Sequence, residues 1–233
     1  MLRINRKPIL LIATAFLAAC QPAAGPFLPE YASIDLVIED GRVIDGLGND
    51  AIDADVVVVG DQIVFVGDAA LTEADRSKRV KRIIDAGGRV VAPGFIDLHS
   101  HGNPLETPEM ENFLAMGVTT ITLGQDGSSP DVLPLSGWMA DVEASGIGTN
   151  LVMFVGHGTL RNQVGIGRST EPEPEDLQRM LDLLDETLGY TFGMSSGLEY
   201  NPGLNADTNE LRALARVVGV NDRMIMSHMR NED

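Results

Sequence analysis

The chain of 233 residues is 44% hydrophobic and strongly acidic, with 34 Asp and Glu against 17 Lys and Arg and a formal net charge of −17. The length and apolar content suffice for a domain with a sizeable core. The negative charge argues against nucleic acid or an anionic membrane surface as a partner. Cys20 is the one cysteine of the sequence, which excludes an internal disulfide and a metal site made of several thiolates.

Residues 1–19 have the pattern of an export signal rather than of a folded element. Three basic residues precede an uncharged, mostly apolar stretch over 8–19 that is too short to span a bilayer as a mature helix. The stretch runs into the letters LAAC, which resemble the lipobox of bacterial lipoproteins and end at Cys20. We predict cleavage before Cys20 and lipidation of this cysteine, with a plain secretory signal as the alternative.

Residues 20–33 are rich in Pro and Ala and lack apolar periodicity, which predicts a tether between Cys20 and the folded part. We therefore expect an exported protein of the bacterial cell envelope, held on the periplasmic side of a membrane by its lipid anchor alone. Without lipidation, the same protein would be periplasmic or secreted.

Residues 34–92 carry short apolar runs that are typical of β-strands. Alternating apolar positions flank an Asp-Gly pair at 40–41, and two runs of Val and Ile flank the letters GDQ at 60–62. Turn residues between two apolar runs are the signal of a β-hairpin. We predict antiparallel hairpins at both places.

From residue 93 the chain alternates between five short apolar runs and four stretches with helical character. The clearest helix lies within 171–189, where apolar residues recur at i, i+3, i+4, i+7 and i+11. Alternating strands and helices predict parallel strands covered by helices, which is an α/β fold. The five runs are Gly94–Leu98, Thr119–Leu123, Leu151–Val155, Tyr190–Met194 and Met224–Met226.

Each apolar run ends in a polar cluster, and all four histidines of the chain lie in these clusters. In a (β/α) barrel the active site lies at the carboxyl ends of the strands. His99 and His101 are two residues apart on a strand, so both face the same side and can bind one divalent cation, whereas solvent-exposed loop histidines are the alternative. Asp126 and His228 follow the second and fifth runs, where we predict that they complete the ligand set.

The remaining polar residues of these clusters allow more than one role. We expect His157 to hydrogen-bond neighbouring loops rather than to bind metal. Tyr200 could donate its phenol to a polarised carbonyl oxygen or pack under the turn at 202–203.

Six motifs in order along the chain resemble the amidohydrolase superfamily, and most closely its N-acyl-D-amino-acid deacylase (D-aminoacylase) branch. The resemblance implies a small β-sandwich built from both chain ends, of which residues 34–92 are the N-terminal segment. It implies the N-terminal part of a TIM-like barrel over 93–233. It also implies one or two zinc ions and hydrolysis of the amide of an N-acyl-D-amino acid. The motifs are DLVIEDGRVIDG, IDAGGRVVAPGFIDLHSH, GVTT, VGHGTLR, SSGLEYNPG and SHMRNE.

The resemblance also assigns roles to single residues. His99 and His101 match the histidine pair of the more exposed metal site, His228 matches a histidine of the tightly held zinc, and Tyr200 matches a tyrosine near the substrate. Asp126 stands where the branch commonly carries a metal-bridging cysteine, and its oxygen is a harder ligand than a thiolate.

The substrate's carboxylate needs a cationic or hydrogen-bonding clamp, for which Arg161 and Arg230 are candidates, with a structural ion pair as the alternative for each. The general base of the branch and a further metal histidine lie on later strands, so we expect a truncated chain and place no general base in it.

Two alternatives to the deacylase remain open at this point. One is a truncated, non-catalytic lipoprotein fragment that binds metal without turnover. The other is a different amidohydrolase, such as an imidase or a dipeptidase, with the same ligands. The sequence leaves the oligomeric state and the preferred side chain open.

Overall fold

The computed structural model describes residues 33–132 and 134–231. The predicted signal peptide over 1–19, the lipidation site Cys20 and the tether up to residue 32 lie outside the described residues. The chain divides into two compact units, one up to Pro93 and one from Gly94. The sequence patterns predict this division one residue earlier, between residues 92 and 93.

The first unit is built on a five-stranded sheet with the strand order β3-β2-β1-β4, in which β5 also pairs with β1. The β1–β2 and β2–β3 pairs are antiparallel, whereas β4 and β5 run parallel to β1. A small core of Ile34, Val37, Val57 and Ala69 lies against this sheet. The elements are β1 (Leu36–Val43), β2 (Ile52–Val59), β3 (Gln62–Gly67), α1 (Glu73–Arg79), β4 (Ile83–Asp85) and β5 (Val90–Val91).

One of the two predicted hairpins forms, and the other prediction was wrong. Val59 pairs with Gln62 across a two-residue turn, in which Gly60 is the first residue and has a φ of 62°. The Asp-Gly pair at 40–41 instead forms a β-bulge within the continuous strand β1, with Asp40 at a φ of 53°. Glycine is required there because a Cβ on Gly41 would lie 2.6 Å from Val91.

Helix α1 was not predicted, although a capping signal marks its start. The Thr72 hydroxyl accepts from the backbone N–H of Asp75, and the Asp75 carboxylate accepts from the backbone N–H of Thr72. This reciprocal pair is a capping box, whose sequence form is Thr-x-x-Asp here. Its acidic first turn and basic last turn also suit the helix dipole.

The second unit is a five-stranded parallel sheet whose strands follow each other in sequence order, β6 to β10. Sequential parallel strands joined by helices are the pattern of a TIM-like barrel, so the predicted fold class, an α/β half-barrel preceded by a β segment, is confirmed. The strands are β6 (Phe95–Asp97), β7 (Val118–Leu123), β8 (Asn150–Gly156), β9 (Gly193–Gly197) and β10 (Met224–His228). The helices are α2 (Glu111–Ala115), α3 (Leu135–Ser145), α4 (His157–Gln163), α5 (Pro174–Leu188) and α6 (Thr208–Val220), with a 3₁₀ turn at Gly203–Asn205.

Helix α5 forms as its periodicity predicts. Met180, Leu184 and Leu188 are fully buried in the main hydrophobic core, and Gly189 follows the last turn. Fully burying such side chains stabilises the fold by about 1.5–3 kcal/mol each. Helix α4 was not predicted, because the polar letters that follow β8 lack an apolar stripe.

Strand β9 lies three residues later than predicted, at Gly193–Gly197 instead of Tyr190–Met194. The small polar residues Ser195 and Ser196 therefore lie within the strand, where both are buried and pair with β10. Glycine is required at the end of β9 because the loop after β7 approaches it closely. A Cβ on Gly197 would lie 2.1 Å from the backbone oxygen of Asp126.

No helix of the described chain combines the length and the apolar character that crossing a membrane requires.

Candidate metal centre

The predicted ligands His99 and His101 lie just past the carboxyl end of β6, with their side chains on the same side of the chain. Ser100 between them donates its backbone N–H to Thr122 on β7 at 3.1 Å, so the pairing with β7 continues beyond the strand. The Ser100 side chain is turned inward and is 4% exposed. The side chains of His99 and His101 are 49% and 67% exposed, with ring centroids 5.2 Å apart.

Asp126 lies in the loop after β7 and meets both of these imidazoles. Its Oδ2 lies 3.2 Å from Nε2 of His99 and 3.1 Å from Nε2 of His101. The residue adopts a left-handed φ of 54°, which aspartate tolerates better than most residues do. The next residue, Gly127, donates its N–H to the buried Ser195 hydroxyl at 3.0 Å, which holds the loop against β9.

His228 reaches the same carboxylate from the other end of the sheet. It is the last residue of β10, and its Nδ1 lies 3.6 Å from Oδ1 of Asp126. Four residues from three distant parts of the sequence therefore converge at the carboxyl ends of three strands. We call His99, His101, Asp126 and His228 the candidate metal centre.

The geometry of the candidate metal centre fits a divalent cation. Tetrahedral zinc with ligand bonds of about 2.0–2.1 Å holds its ligand atoms about 3.3 Å apart, close to the observed 3.1 and 3.2 Å. The ligand atoms of His99, His101 and Asp126 all lie within 4.8 Å of one another. Oδ1 of Asp126 is shielded from solvent and has no hydrogen-bond partner within the described residues, as expected of an oxygen arranged to meet a cation.

Glu199 is a functional candidate that the sequence reasoning missed. Its Oε2 lies 2.9 Å from Nε2 of His228, on the nitrogen that faces away from Asp126. The adjacent residue, Tyr200, is 45% exposed, and its ring packs on the His228 ring with centroids 4.5 Å apart. The sequence does hold a signal for Glu199, because this residue lies beside Tyr200 in the polar cluster that follows the fourth apolar run.

His157 does not lie at this centre but in a cluster of its own. It begins helix α4 and is fully buried, and its Nε2 lies 2.7 Å from Oε1 of Glu210 on helix α6. The sequence predicts hydrogen bonds from His157 to neighbouring loops, whereas the partner is the carboxylate of Glu210 on helix α6. Glu210 was missed, although it falls at i, i+4 and i+8 with the buried Leu214 and Val218.

Arg161 belongs to the same cluster and takes the role of a structural ion pair. Its Nη1 donates to both carboxylate oxygens of Glu210, at 2.8 and 2.9 Å, and its other donors bond the backbone oxygens of Gly167 and Ser169. The Arg161 side chain is 0% exposed, so its position argues against the predicted contact with substrate. We call His157, Arg161 and Glu210 the buried triad.

Arg230, the second predicted clamp, is exposed beside the 3₁₀ turn. Its two terminal nitrogens donate to the backbone oxygens of Leu204 and Ala206 at 2.7 and 3.0 Å. Arg230 therefore ties the loop between β9 and α6 to the end of β10.

Two of the cavities that adjoin the candidate metal centre are lined by Asp126. One of about 230 Å³ is lined by His101, Asp126 and Tyr200, among other residues. The other, of about 270 Å³, is lined by His99, Asp126 and His228, among others. The polar centre is thus open to a small molecule from two cavities that share Asp126.

Sequential β/α units with histidines from separate strands around one carboxylate resemble the N-terminal part of an amidohydrolase barrel. The chain is homologous to N-acyl-D-glutamate deacylase and D-aminoacylase, which belong to the amidohydrolase superfamily. It is 35% identical to the N-acyl-D-glutamate deacylase of Alcaligenes xylosoxydans xylosoxydans, over 85% of this chain and 44% of the relative. The D-aminoacylase of the same organism is 31% identical, over 85% of this chain and 45% of the relative.

Solved structures give the same result. The N-acyl-D-glutamate deacylase of Bordetella bronchiseptica, in complex with zinc and a phosphonate inhibitor that mimics the tetrahedral intermediate, matches with a TM-score of 0.77 and 31% identity. That match covers 86% of this chain and 46% of the other. A D-aminoacylase that defines a subset of the amidohydrolases matches with a TM-score of 0.74. No protein-family model matches the chain, which spans about 45% of the length of the curated relatives.

Proposed function

We propose that this protein is a zinc-dependent amidohydrolase that cleaves the amide bond of N-acyl-D-amino acids, releasing a carboxylate and a D-amino acid. The convergence of three imidazoles on the Asp126 carboxylate is the observation that carries the proposal. The similarity to deacylases of N-acyl-D-glutamate and to D-aminoacylase supports the substrate class.

In this proposal, His99, His101, Asp126 and His228 would hold one or two zinc ions. Zinc bound there would activate water for attack and polarise the scissile carbonyl. The chain's own contribution is to fix these side chains on strand ends and to leave both cavities open beside them. Carboxylate and imidazole ligands would give a harder site than one that includes a thiolate.

Two further residues have proposed roles toward the substrate. Tyr200, packed on His228, would donate its phenol to the carbonyl oxygen as negative charge develops there. Arg230, exposed at the end of β10, is the remaining candidate for contact with the substrate's carboxylate, because Arg161 is enclosed in the buried triad.

The test is a substrate panel with the zinc-loaded, full-length gene product. We expect release of acetate from N-acetyl-D-amino acids and not from their L-enantiomers or from cyclic ureides. The double variant His99→Ala/His101→Ala should lose both zinc uptake and activity while keeping its circular dichroism spectrum. Ring opening of ureides without deacylation would instead support the imidase alternative, and absence of zinc uptake would contradict the proposal as a whole.

The location of the protein is a separate proposal that rests on residues 1–20 alone. We propose export and lipid anchoring at Cys20 in the cell envelope, because the LAAC letters end at the one cysteine of the sequence. Metabolic labelling with a fatty acid should mark the wild-type protein and not the Cys20→Ser variant. Equal labelling of both, or none of either, would contradict the anchor.

A further inference from the structure

We infer that Glu199 is a positioning residue that fixes the tautomer of His228 and thereby selects the nitrogen that faces the candidate metal centre. The inference rests on the proposed function for the identity of the ion, zinc. It adds to that function a carboxylate that would not itself touch the metal.

The two ring nitrogens of His228 face different carboxylates. Nε2 lies 2.9 Å from Oε2 of Glu199, whereas Nδ1 lies 3.6 Å from Oδ1 of Asp126. An ionised carboxylate only accepts hydrogen bonds, so the proton of a neutral imidazole is held on Nε2. The lone pair is then on Nδ1, the nitrogen that faces Asp126.

Glu199 is placed where an outer partner of a metal ligand belongs. Histidines that bind metal usually donate their second N–H to a carboxylate, a backbone oxygen or water, which orients the ring and makes it a better ligand. Because the Glu199 oxygen contacts the nitrogen that faces away from Asp126, it lies beyond the imidazole rather than among the ligand atoms.

The loop that carries Glu199 is held against β10 at several points, which places the Glu199 backbone beside His228, while the Glu199 side chain is 47% exposed. The backbone N–H of Leu198 donates to the His228 oxygen at 3.1 Å. The Tyr200 ring packs on the His228 ring, and Arg230 bonds two backbone oxygens of the same loop. The His228 side chain is 15% exposed, which limits its freedom to change its partner.

Zinc affinity, measured by competition with a chromophoric chelator, tests the inference in the full-length gene product. Loss of an outer partner typically lowers metal affinity by about 10–100-fold, and we expect a loss in this range for Glu199→Ala. The amide oxygen of Glu199→Gln can still accept the Nε2 proton, so this near-isosteric variant should lose less than about tenfold. Glu171→Ala, at an exposed glutamate on another loop, is the matched control and should bind zinc as the wild type does.

A second readout is the ¹⁵N NMR spectrum of histidine in the metal-free protein, which distinguishes a proton on Nδ1 from one on Nε2. We expect His228 to be protonated at Nε2 in the wild type and in Glu199→Gln, and to show a mixture of tautomers in Glu199→Ala. A merely structural role for Glu199 would leave this spectrum unchanged.

Two results would overturn the inference. One is wild-type zinc affinity together with an unchanged His228 tautomer in Glu199→Ala. The other is an equal loss of affinity in both Glu199 variants with an unchanged tautomer, which would make Glu199 a direct ligand. If the wild type itself takes up no zinc, the proposed function fails, and the tautomer measurement still decides the role of Glu199.

Discussion

The candidate metal centre and the buried triad use the same residue types in opposite surroundings. In the buried triad, Glu210 is bonded by both His157 and Arg161, and all three side chains are 0–1% exposed. In the candidate metal centre, Asp126 faces three imidazoles, which carry no permanent charge. In the buried triad, the Arg161 guanidinium neutralises the Glu210 carboxylate within the fold. In the candidate metal centre, the negative charge of Asp126 remains available to a cation from solution. The presence of a permanent positive partner thus separates a structural cluster from a ligand set.

The largest expected effect concerns the buried triad. The change Glu210→Ala leaves the Arg161 guanidinium buried without its carboxylate, and breaking a buried pair in this way typically costs about 3–5 kcal/mol. Urea denaturation should therefore show a loss of this size in the free energy of unfolding. Zinc affinity of the folded fraction should stay at the wild-type value, because Glu210 does not contact the candidate metal centre.

The control for this prediction is Glu199→Ala, which also removes a carboxylate from a histidine, but from one in contact with solvent. Its stability should change by less than about 1 kcal/mol, as for exposed charge pairs. If Glu210→Ala lowers the free energy of unfolding by no more than the control does, burial of the ion pair does not distinguish the buried triad from the candidate metal centre.

The second expected effect is on metal binding. The change Asp126→Asn keeps the left-handed backbone, which asparagine also tolerates, but removes the negative charge that the three imidazoles surround. Zinc affinity should fall by more than about 100-fold, beyond the loss typical of an outer partner, with little change in stability. Isothermal titration with zinc checks the affinity, and Asp131→Asn, at an exposed site on the same loop, is the control. An Asp126→Asn protein that binds zinc normally would remove Asp126 from the ligand set.

The sequence predicts those parts of the fold that depend on local periodicity. Helix α5 follows from its apolar spacing, and the shared side of His99 and His101 follows from the two-residue repeat of a strand. The Asp-Gly pair at 40–41 gave a wrong hairpin, because a left-handed backbone suits a bulge as well as a turn. The bulge lies within the pairing of β1 with β2 and with β5, and such pairing with distant segments is not visible in the letters around residues 40–41.

The sequence predicts those residues of the candidate metal centre that directly follow an apolar run, because such runs mark strand ends. His228 and Asp126 follow apolar runs, so their meeting is a consequence of parallel strands in sequential order. Glu199 and Glu210 were missed, because what each carboxylate contacts is decided by a histidine on another element. The distinct environments of Arg161 and Arg230 likewise depend on burial, which the sequence pattern around each arginine does not show.

The third expected effect is at the start of helix α6, where Asp207 supports the position of Glu210 without belonging to the buried triad. The Asp207 carboxylate accepts from the backbone N–H of Glu210 at 2.8 Å and caps helix α6. The change Asp207→Ala should cost about 1 kcal/mol, the usual value of such a cap. Chemical denaturation measures this loss, and Asp207→Asn, which retains a capping oxygen, should recover most of it. A loss as large as that of Glu210→Ala would mean that the cap, rather than the ion pair, holds the triad in place.

The smallest expected effect is at a third kind of carboxylate, one that is exposed and already paired. The backbone N–H of Gly60 and the ammonium group of Lys81 both bond Asp35 in the first unit, at 2.7 and 2.6 Å, and lower its pKa below the ordinary value of 3.8. Since the pKa is lowered in the folded state, the contribution of Asp35 to stability is complete above pH 3.8. This contribution is lost as the pH falls through the lowered pKa.

The change Lys81→Ala should raise the pKa of Asp35 only part of the way toward 3.8, because the Gly60 N–H, the larger cause, remains. An NMR titration of the Asp35 carboxyl measures the shift, and Lys78→Ala, on the preceding helix, is the control. Complete return to the ordinary value would make the lysine the main cause. Asp35 would then resemble Glu210, a carboxylate governed by one permanent cation, instead of one bonded first by the backbone.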